Sequence, residues 1–397
     1  MATGGTVKGI ITTSNEAQAF IRPDIDPLLY ILEPWRTPFT QWLYFSSETA
    51  HIVTDVTGKF QHGEDEFYPH LLNVAAAFTG GAPTGTITLT DASSLAGGEQ
   101  VFLEDSGQQV WVTAAPTGNN VPIASVDGSN LLAVGANTGF RIVGSFVGET
   151  EQPRIATSTL PTMLYNYLTI FSETVEMTGR EEAGQKWTNG LTFQERLEKR
   201  IKEVKIQMEQ FFLLSTARAV TNAPVGAGGA SDRVTVGYGL KGLITSNVTT
   251  YSGSLTESAL DAYFMQIFNH GGPVKHHYCG WGQLSQINAI LKAKYQVNTV
   301  PSRIYGSDLQ EYIVPGGKIL LIPDPVLDGP KLTYWGVTVD PDSVRLREMA
   351  PDETGSRAFR IEDEIKTPGV GGSKAKILAD VGIEVMNQEK CGWLLGA

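Results

Sequence analysis

The sequence predicts an α+β protein, and three observations carry that prediction. Residues 192–217 form one long amphipathic helix without Gly or Pro; 84–147 is a glycine-punctuated run of short alternating strands; and 256–387 interleaves further helices and strands. Composition agrees. The 397 residues are 41% hydrophobic, which can bury a large core in two or three subdomains, while 43 glycines and only 18% charged residues suit many turns and extended strands.

Taken in order, residues 1–45 begin polar and then set Pro23, Pro27, Pro34 and Pro38 among Phe20, Leu28, Leu29, Tyr30, Trp35 and Trp42. Repeated proline prevents a long helix, yet the segment is too apolar to stay solvated. It packs either on its own domain or on a neighbouring subunit, and composition leaves both open. The stretch 51–78 is mixed, with Glu64, Asp65 and Glu66 in a row. From 84 to 147, TITLT, QVFLED, QQVWVT and FRIVGS alternate apolar and polar residues. Turn signals at Asp91–Ser94, Gly97-Gly98, Ser106-Gly107, Gly118-Asn119 and Asp127-Gly128 separate them, so a small inserted antiparallel barrel is expected. Residues 162–178 read as one long strand that could pair with the 50s segment as an arm carrying the barrel.

The helix at 192–217 carries Phe193, Leu197, Ile201, Val204, Met208 and Phe211 or Phe212 at steps of three and four, one apolar stripe. Thr192 and Glu195 form a capping-box pattern, and Glu195/Lys199 and Glu198/Lys202 suit helix-surface ion pairs. At 1.5 Å per residue it would be roughly 39 Å long, a strut against which β structure packs. A loop at 223–232, a second helix at about 256–270 and a third at about 283–295 follow. Strands are expected at 318–323, 332–339, 343–349 and 377–387.

No catalytic motif emerges. GYGLKG at 237–242 has the letters of a dinucleotide-binding turn but lacks the preceding buried strand and following helix. Gly316-Gly317-Lys318 and GVGGSKAK at 369–376 fail as phosphate loops. His276, His277 and Cys279 lie on a strand that points neighbours to opposite faces, so core residues are expected and no metal. The runs Glu64–Glu66 and Glu362–Glu364 read as solvated faces rather than paired acid/base groups. The two cysteines, Cys279 and Cys391, set no disulfide framework, and no cofactor is expected. A formal charge of −12 argues against a phosphate-gripping surface, although an acidic chain suits the wall of a nucleic-acid container. No secretory signal or membrane span is apparent, so the Asn247 sequon carries little weight.

The order of parts resembles the major capsid proteins of tailed bacteriophages, of the Hong Kong 97 type or Johnson fold, and in particular the subfamily with a small β domain in the extended loop. The stretches that carry the likeness are FIRPDIDPLLYILEPWRTPF, DASSLAGGEQVFLED, YLTIFSETVEMTG, GLKGLITSN and VRLREMAPDETGSRAFRIEDEIK followed by ADVGIEVMNQEKCGWLLGA. Together they span nearly the whole chain.

The resemblance implies an N-terminal arm at 1–45 and an extended loop at 46–186 that includes the 84–147 insertion. It implies a peripheral domain at 187–272 with its spine helix at 192–217, an axial domain at 273–340, and return strands of the peripheral domain at 341–397. The implied function is self-assembly as hexamers and pentamers into an icosahedral virion shell that encloses double-stranded DNA, built in the host cytoplasm. No enzymatic activity is implied. Implied partners are the chain itself, a separate scaffolding protein, a portal and a decoration protein, with Met1 or Ala2 retained in the mature shell. Arm contacts are assigned to Phe20, Leu28, Leu29, Tyr30, Trp35 and Trp42, and spine packing to Phe193, Leu197, Ile201, Val204, Met208 and Phe212. The insertion is expected to touch a neighbour's insertion or the capsomer rim. An encapsulin-type compartment and an enzyme of unrecognised class are the alternatives.

Overall fold

The computed structural model describes residues 37–45, 52–55, 57–146, 158–184, 192–224, 231–294, 310–314, 316–353, 355–363 and 371–397. They divide into two compact units, one holding the described residues up to Gln61 and from Tyr165 onward, the other His62–Leu164. The chain opens with α1 (Pro38–Phe45), β1 (Ile52–Asp55) and β2 (Lys59–Glu64). The second unit contributes β3 (Leu71–Asn73), β4 (Thr84–Thr88), β5 (Glu99–Leu103), β6 (Gln109–Val112), β7 (Asn120–Ser125) and β8 (Gly139–Ser145). Then come β9 (Thr162–Tyr167), β10 (Thr169–Met177), α2 (Gly179–Ala183), α3 (Phe193–Leu214), β11 (Ala219–Pro224), β12 (Ser231–Val236), α4 (Leu240–Leu243) and β13 (Val248–Tyr251). The remainder is α5 (Glu257–Phe268), β14 (Val274–Cys279), α6 (Trp281–Lys294), β15 (Gln310–Val314), β16 (Gly317–Pro323), β17 (Trp335–Val339), β18 (Val344–Met349), β19 (Arg360–Glu362), β20 (Ser373–Val385) and β21 (Gly392–Gly396).

α3 is the long helix read from the sequence, and its start is the expected capping box. Thr192 Oγ1 accepts from the Glu195 amide at 3.4 Å while the Glu195 carboxylate accepts from the Thr192 amide at 2.9 Å. Glu195 works as a cap, and on the helix surface Arg200 pairs with Glu203 at 2.7 Å. The helix ends at Leu214, short of 217, because Ser215 turns extended and its hydroxyl donates to the Gly237 carbonyl at 2.9 Å. Leu197, Val204, Met208 and Phe212 are buried in the main core, with Phe193 and Ile201 half-buried against it.

α3 lies against β10 and β20 of a five-stranded sheet ordered β1-β18-β20-β10, with β19 also on β20. β20 is buried almost throughout from Leu378 to Val385, the mark of a central strand covered on both faces. The expected single strand over 162–178 is two strands, since β9 pairs with β2 whereas β10 pairs with β20. Leu168 marks the break, its amide bonded to the Gly58 carbonyl at 2.9 Å. β1, also in the 50s, leaves this arm and runs parallel to β18.

A second sheet, β13-β21-β17-β14-β16-β15, carries α5 and α6 over a core that includes Leu260, Phe264, Ile287 and Leu321. It is wider than the 273–340 stretch expected to form a domain. β21, from the chain's last residues, pairs antiparallel with β17 and parallel with β13, so segments from both flanks complete the sheet.

The unit 62–164 is likewise larger than the 84–147 expected. β3 precedes that span and pairs with β8, and β7 contains Pro122, which interrupts the alternation but still gives its carbonyl to the Thr113 amide at 3.0 Å. The strands form one antiparallel sheet, β3-β8-β5-β6-β7-β4, and the bridge Val74↔Leu89 joins its two edges. Inward residues such as Val101, Leu103, Val110, Val112 and Phe140 fill its own core. The turns fall where glycine permits positive φ, at Gly107 (68°) and Gly128 (78°).

Candidate functional site

The best-defined functional feature is the seat of α1, the described end of the N-terminal segment. Pro38 opens this helix where its missing N–H costs nothing, so the fourth proline starts a short helix rather than preventing one. Its first-turn amides are met by a side chain from α3. The Glu209 carboxylate accepts from the Phe39 amide at 2.8 Å and the Thr40 amide at 2.6 Å, and also from the Thr40 hydroxyl. A negative group at a helix N-terminus satisfies orphan donors and matches the local dipole.

Apolar contacts complete the seat. Phe39 and Leu43 are buried; Phe39 meets Tyr278 edge-on with centroids 5.2 Å apart, and Trp42 meets the His276 ring at 5.5 Å. The Tyr44 hydroxyl donates to the Ala358 carbonyl at 3.1 Å. Trp42 thus packs within its own chain. Phe20, Leu28, Leu29, Tyr30 and Trp35 lie outside the described residues.

Electrostatically the seat is unusual. Glu209 is fully buried, and Asp324, just ahead of the short helical turn 325–327, is beside it. Burial, then the Asp324 charge, pushes Glu209 well above the ordinary carboxylate range. Burial likewise raises Asp324, to about 6, against the pull of the Val326 amide. The Tyr278 hydroxyl is driven up by burial and by both carboxyls, and among the described residues neither it nor Asp324 Oδ2 has a hydrogen-bond partner. Glu209 was not singled out by sequence reading, because it flanks the apolar stripe as ordinary helix-surface glutamates do.

The other motifs resolve as structure. The glycines of GYGLKG give the backbone room: a Cβ at Gly237 would strike the Tyr167 carbonyl, and one at Gly239 the Phe211 carbonyl. Asn166 ties this loop down, accepting from the Tyr238 amide at 2.8 Å and donating to the carbonyls of Tyr238 at 3.0 Å and Ile383 at 2.9 Å. His277 is buried between Thr338 Oγ1 at 2.8 Å and Gln283 at 3.1 Å, and burial lowers it to about 4. Cys279 is buried and its thiol pushed up, and Cys391 is buried against the Ser343 hydroxyl at 3.1 Å. Among the described residues no three His, Cys, Asp or Glu side chains could hold a metal ion. Glu362 binds Arg360, Glu64 lies 3.1 Å from His62, Asp65 and Glu66 are exposed, and Glu364 lies outside the described residues. Gly316 and Gly317 sit against Phe268, and Lys318 reaches Glu311 at 2.8 Å. Of GVGGSKAK, residues 369–370 lie outside the described residues and Ser373 begins β20. The Asn247 side chain is buried, donating to the Glu389 carbonyl at 2.6 Å and the Cys391 carbonyl at 3.1 Å. No described helix is long and apolar enough to cross a membrane.

The described residues thus hold a long helix that seats α1, a strand-paired unit with its own core, and polar clusters tied into the packing. The chain belongs to the SU10 major capsid protein family, whose model matches residues 10–397. No curated protein sequence matches it. Among solved structures it is similar to a chain of Mycobacterium phage Ogopogo, at 10% identity, covering 98% of this chain and 100% of that one with a TM-score of 0.47. It is also similar to the capsid of the native GTA particle, at 10% identity over 97% and 98% with a TM-score of 0.46. A third likeness is to the holo-SrpI encapsulin complex from Synechococcus elongatus PCC 7942, at 12% identity over 60% and 77% with a TM-score of 0.43. As a member of this family, the chain is a shell-forming major capsid protein of the virion, and its described residues fold as α+β.

Proposed function

We propose that the chain assembles as hexamers and pentamers into the icosahedral head of a tailed bacteriophage and encloses its double-stranded DNA. The family match over residues 10–397 carries this reading. The excursion from β2 to β9 serves as the extended loop, α3 with its five-stranded sheet as the peripheral domain, and the β14–β17 region as the axial domain. Phe20, Leu28, Leu29, Tyr30 and Trp35 make arm contacts with a neighbouring subunit, while Trp42 fixes the arm's root. The unit built from β3 to β8 touches a neighbour's copy or the capsomer rim.

The net charge of −12 suits a wall that contains DNA without gripping it. The role is structural, without catalysis, and the finer partners are a separate scaffolding protein, a portal and a decoration protein. Arms reaching over neighbours enlarge each contact toward the ~2,000 Å² or more of obligate assemblies. Sedimentation of the chain expressed alone and beside its neighbouring genes tests the reading. Pentamers, hexamers or closed particles support it; a persistent monomer or dimer under both conditions overturns it.

A further inference from the structure

We propose that in the shell the unit 62–164 docks, through the face around Phe67, onto the 165–397 part of a neighbouring subunit and not onto another copy of itself. This deepens the assembly reading and rests on it. The unit holds ten acidic residues against two basic ones, Arg141 and Arg154, and not one lysine, a formal charge of −8. The rest of the chain has the other 28 basic residues against 32 acidic ones, a formal charge of −4.

Little of the unit's charge is answered within it. Arg141 is taken by Glu104 at 2.7 Å, Glu64 lies 3.1 Å from His62, and the buried Glu99 accepts from the Ala96 and Gly97 amides. Asp65, Glu66, Asp91, Asp105 and Asp127 are exposed and meet no cation among the described residues. Apolar groups stand on the same surface. Phe67, directly after Asp65 and Glu66, is 98% exposed; Leu71 is exposed on β3 across from Arg141 of β8, and Val143 is exposed further along β8. An exposed aromatic anchor rimmed by carboxylates is the build of a docking face.

Charge decides the occupant. A second copy of the unit would bring the same negative surface inside the about 8 Å over which physiological salt leaves charges unscreened, and like charges across a contact reject that pairing. The 165–397 part offers the complement. Arg180 on α2, Lys199 and Lys205 on α3, and Lys331 are exposed and make no ion pair among the described residues. Exposed pairs of this kind add little affinity, so they choose the partner and its register, while Phe67 and its apolar neighbours supply the burial.

Carbodiimide cross-linking, which joins a carboxylate directly to a lysine amine, reads the contact on particles formed from equal parts of isotopically heavy and light full-length chain. Because 62–164 has no lysine, every link its carboxylates make runs to an amine outside it, and a heavy–light pair shows that two subunits are joined. Heavy–light links from Asp65 or Glu66 to lysines within 165–397, Lys199, Lys205 and Lys331 among them, are expected in particles and absent from unassembled chain. Particles without such links overturn the proposal. Charge reversal is the second arm: Asp65→Lys with Glu66→Lys should lower the yield of closed particles severalfold in sedimentation. The melting of unassembled variant, followed by circular dichroism, should stay at the wild-type value, since both side chains are exposed. An unchanged or raised yield, the result expected if acidic units face one another, overturns the proposal. Failure of the wild type to form particles at all overturns the assembly reading and this inference with it, whereas particles that lack the links overturn this inference alone.

Discussion

Phe212 is the residue whose loss should cost the spine most. It is fully buried where α3 meets the five-stranded sheet, with its ring 6.5 Å from Phe171 and 6.1 Å from Phe211, both edge-on. Burying a phenylalanine side chain contributes about 1.5–3 kcal/mol by transfer alone, and each edge-on pair adds about 0.5–1.5 kcal/mol. Truncation also leaves a cavity in the core that Phe212 shares with the buried Met208 and Leu213, so Phe212→Ala should cost about 3–5 kcal/mol. Lys199→Ala, exposed on the same helix, should stay within about 0.5 kcal/mol. Urea unfolding of unassembled protein, monitored by circular dichroism with unchanged m-value, measures both. A Phe212→Ala loss below about 1 kcal/mol would refute the placement of α3 as the element on which the main core is built.

Further predictions follow from other buried contacts. Arg347 grips the enclosed Glu384 carboxylate at 2.8 and 2.9 Å, so Arg347→Ala should lose about 3–5 kcal/mol in the same urea assay, and Arg347→Met with Glu384→Leu should recover much of it. Burial raises Asp340, but the Gly272 amide at 2.8 Å and Lys275 at 3.1 Å outweigh it and hold the carboxyl below its ordinary value. Its contribution is complete above the unfolded value near pH 4 and is lost as pH falls through the folded one; Lys275→Met should shift that acid loss to higher pH in stability-versus-pH curves. The fragment 62–164, with its own core, should melt in one cooperative transition; a broad, sloping melt would show that this core does not hold alone. Deleting 71–146, which removes β3 to β8 whole, should lower the melting temperature of assembled shells, and an unchanged value would remove the unit from inter-subunit contacts.

Elements written in local chemistry were legible in the sequence. The apolar stripe and the Thr192–Glu195 box mark α3, Thr256 caps α5 by accepting from the Ala259 amide at 3.3 Å, and the glycines between strands 84–147 sit in its turns. What depended on distant partners was not legible. Nothing in ILADVGIEV says that β20 will be central, and nothing in the last residues says that β21 will pair with β13 and β17. Pro122 hid β7 by breaking the alternation that marks a strand. Glu209 was invisible as a cap because its role arises only when α1, 169 residues earlier at Thr40, lands on it.

The most direct measurement is electron cryomicroscopy of particles formed by the expressed chain. The expected result is a closed icosahedral shell of pentamers and hexamers, with α3 as the spine of every subunit and residues 62–164 resolved as a distinct unit. A preparation that yields only compact monomers or dimers, with and without the neighbouring scaffold gene, would contradict the shell-forming role.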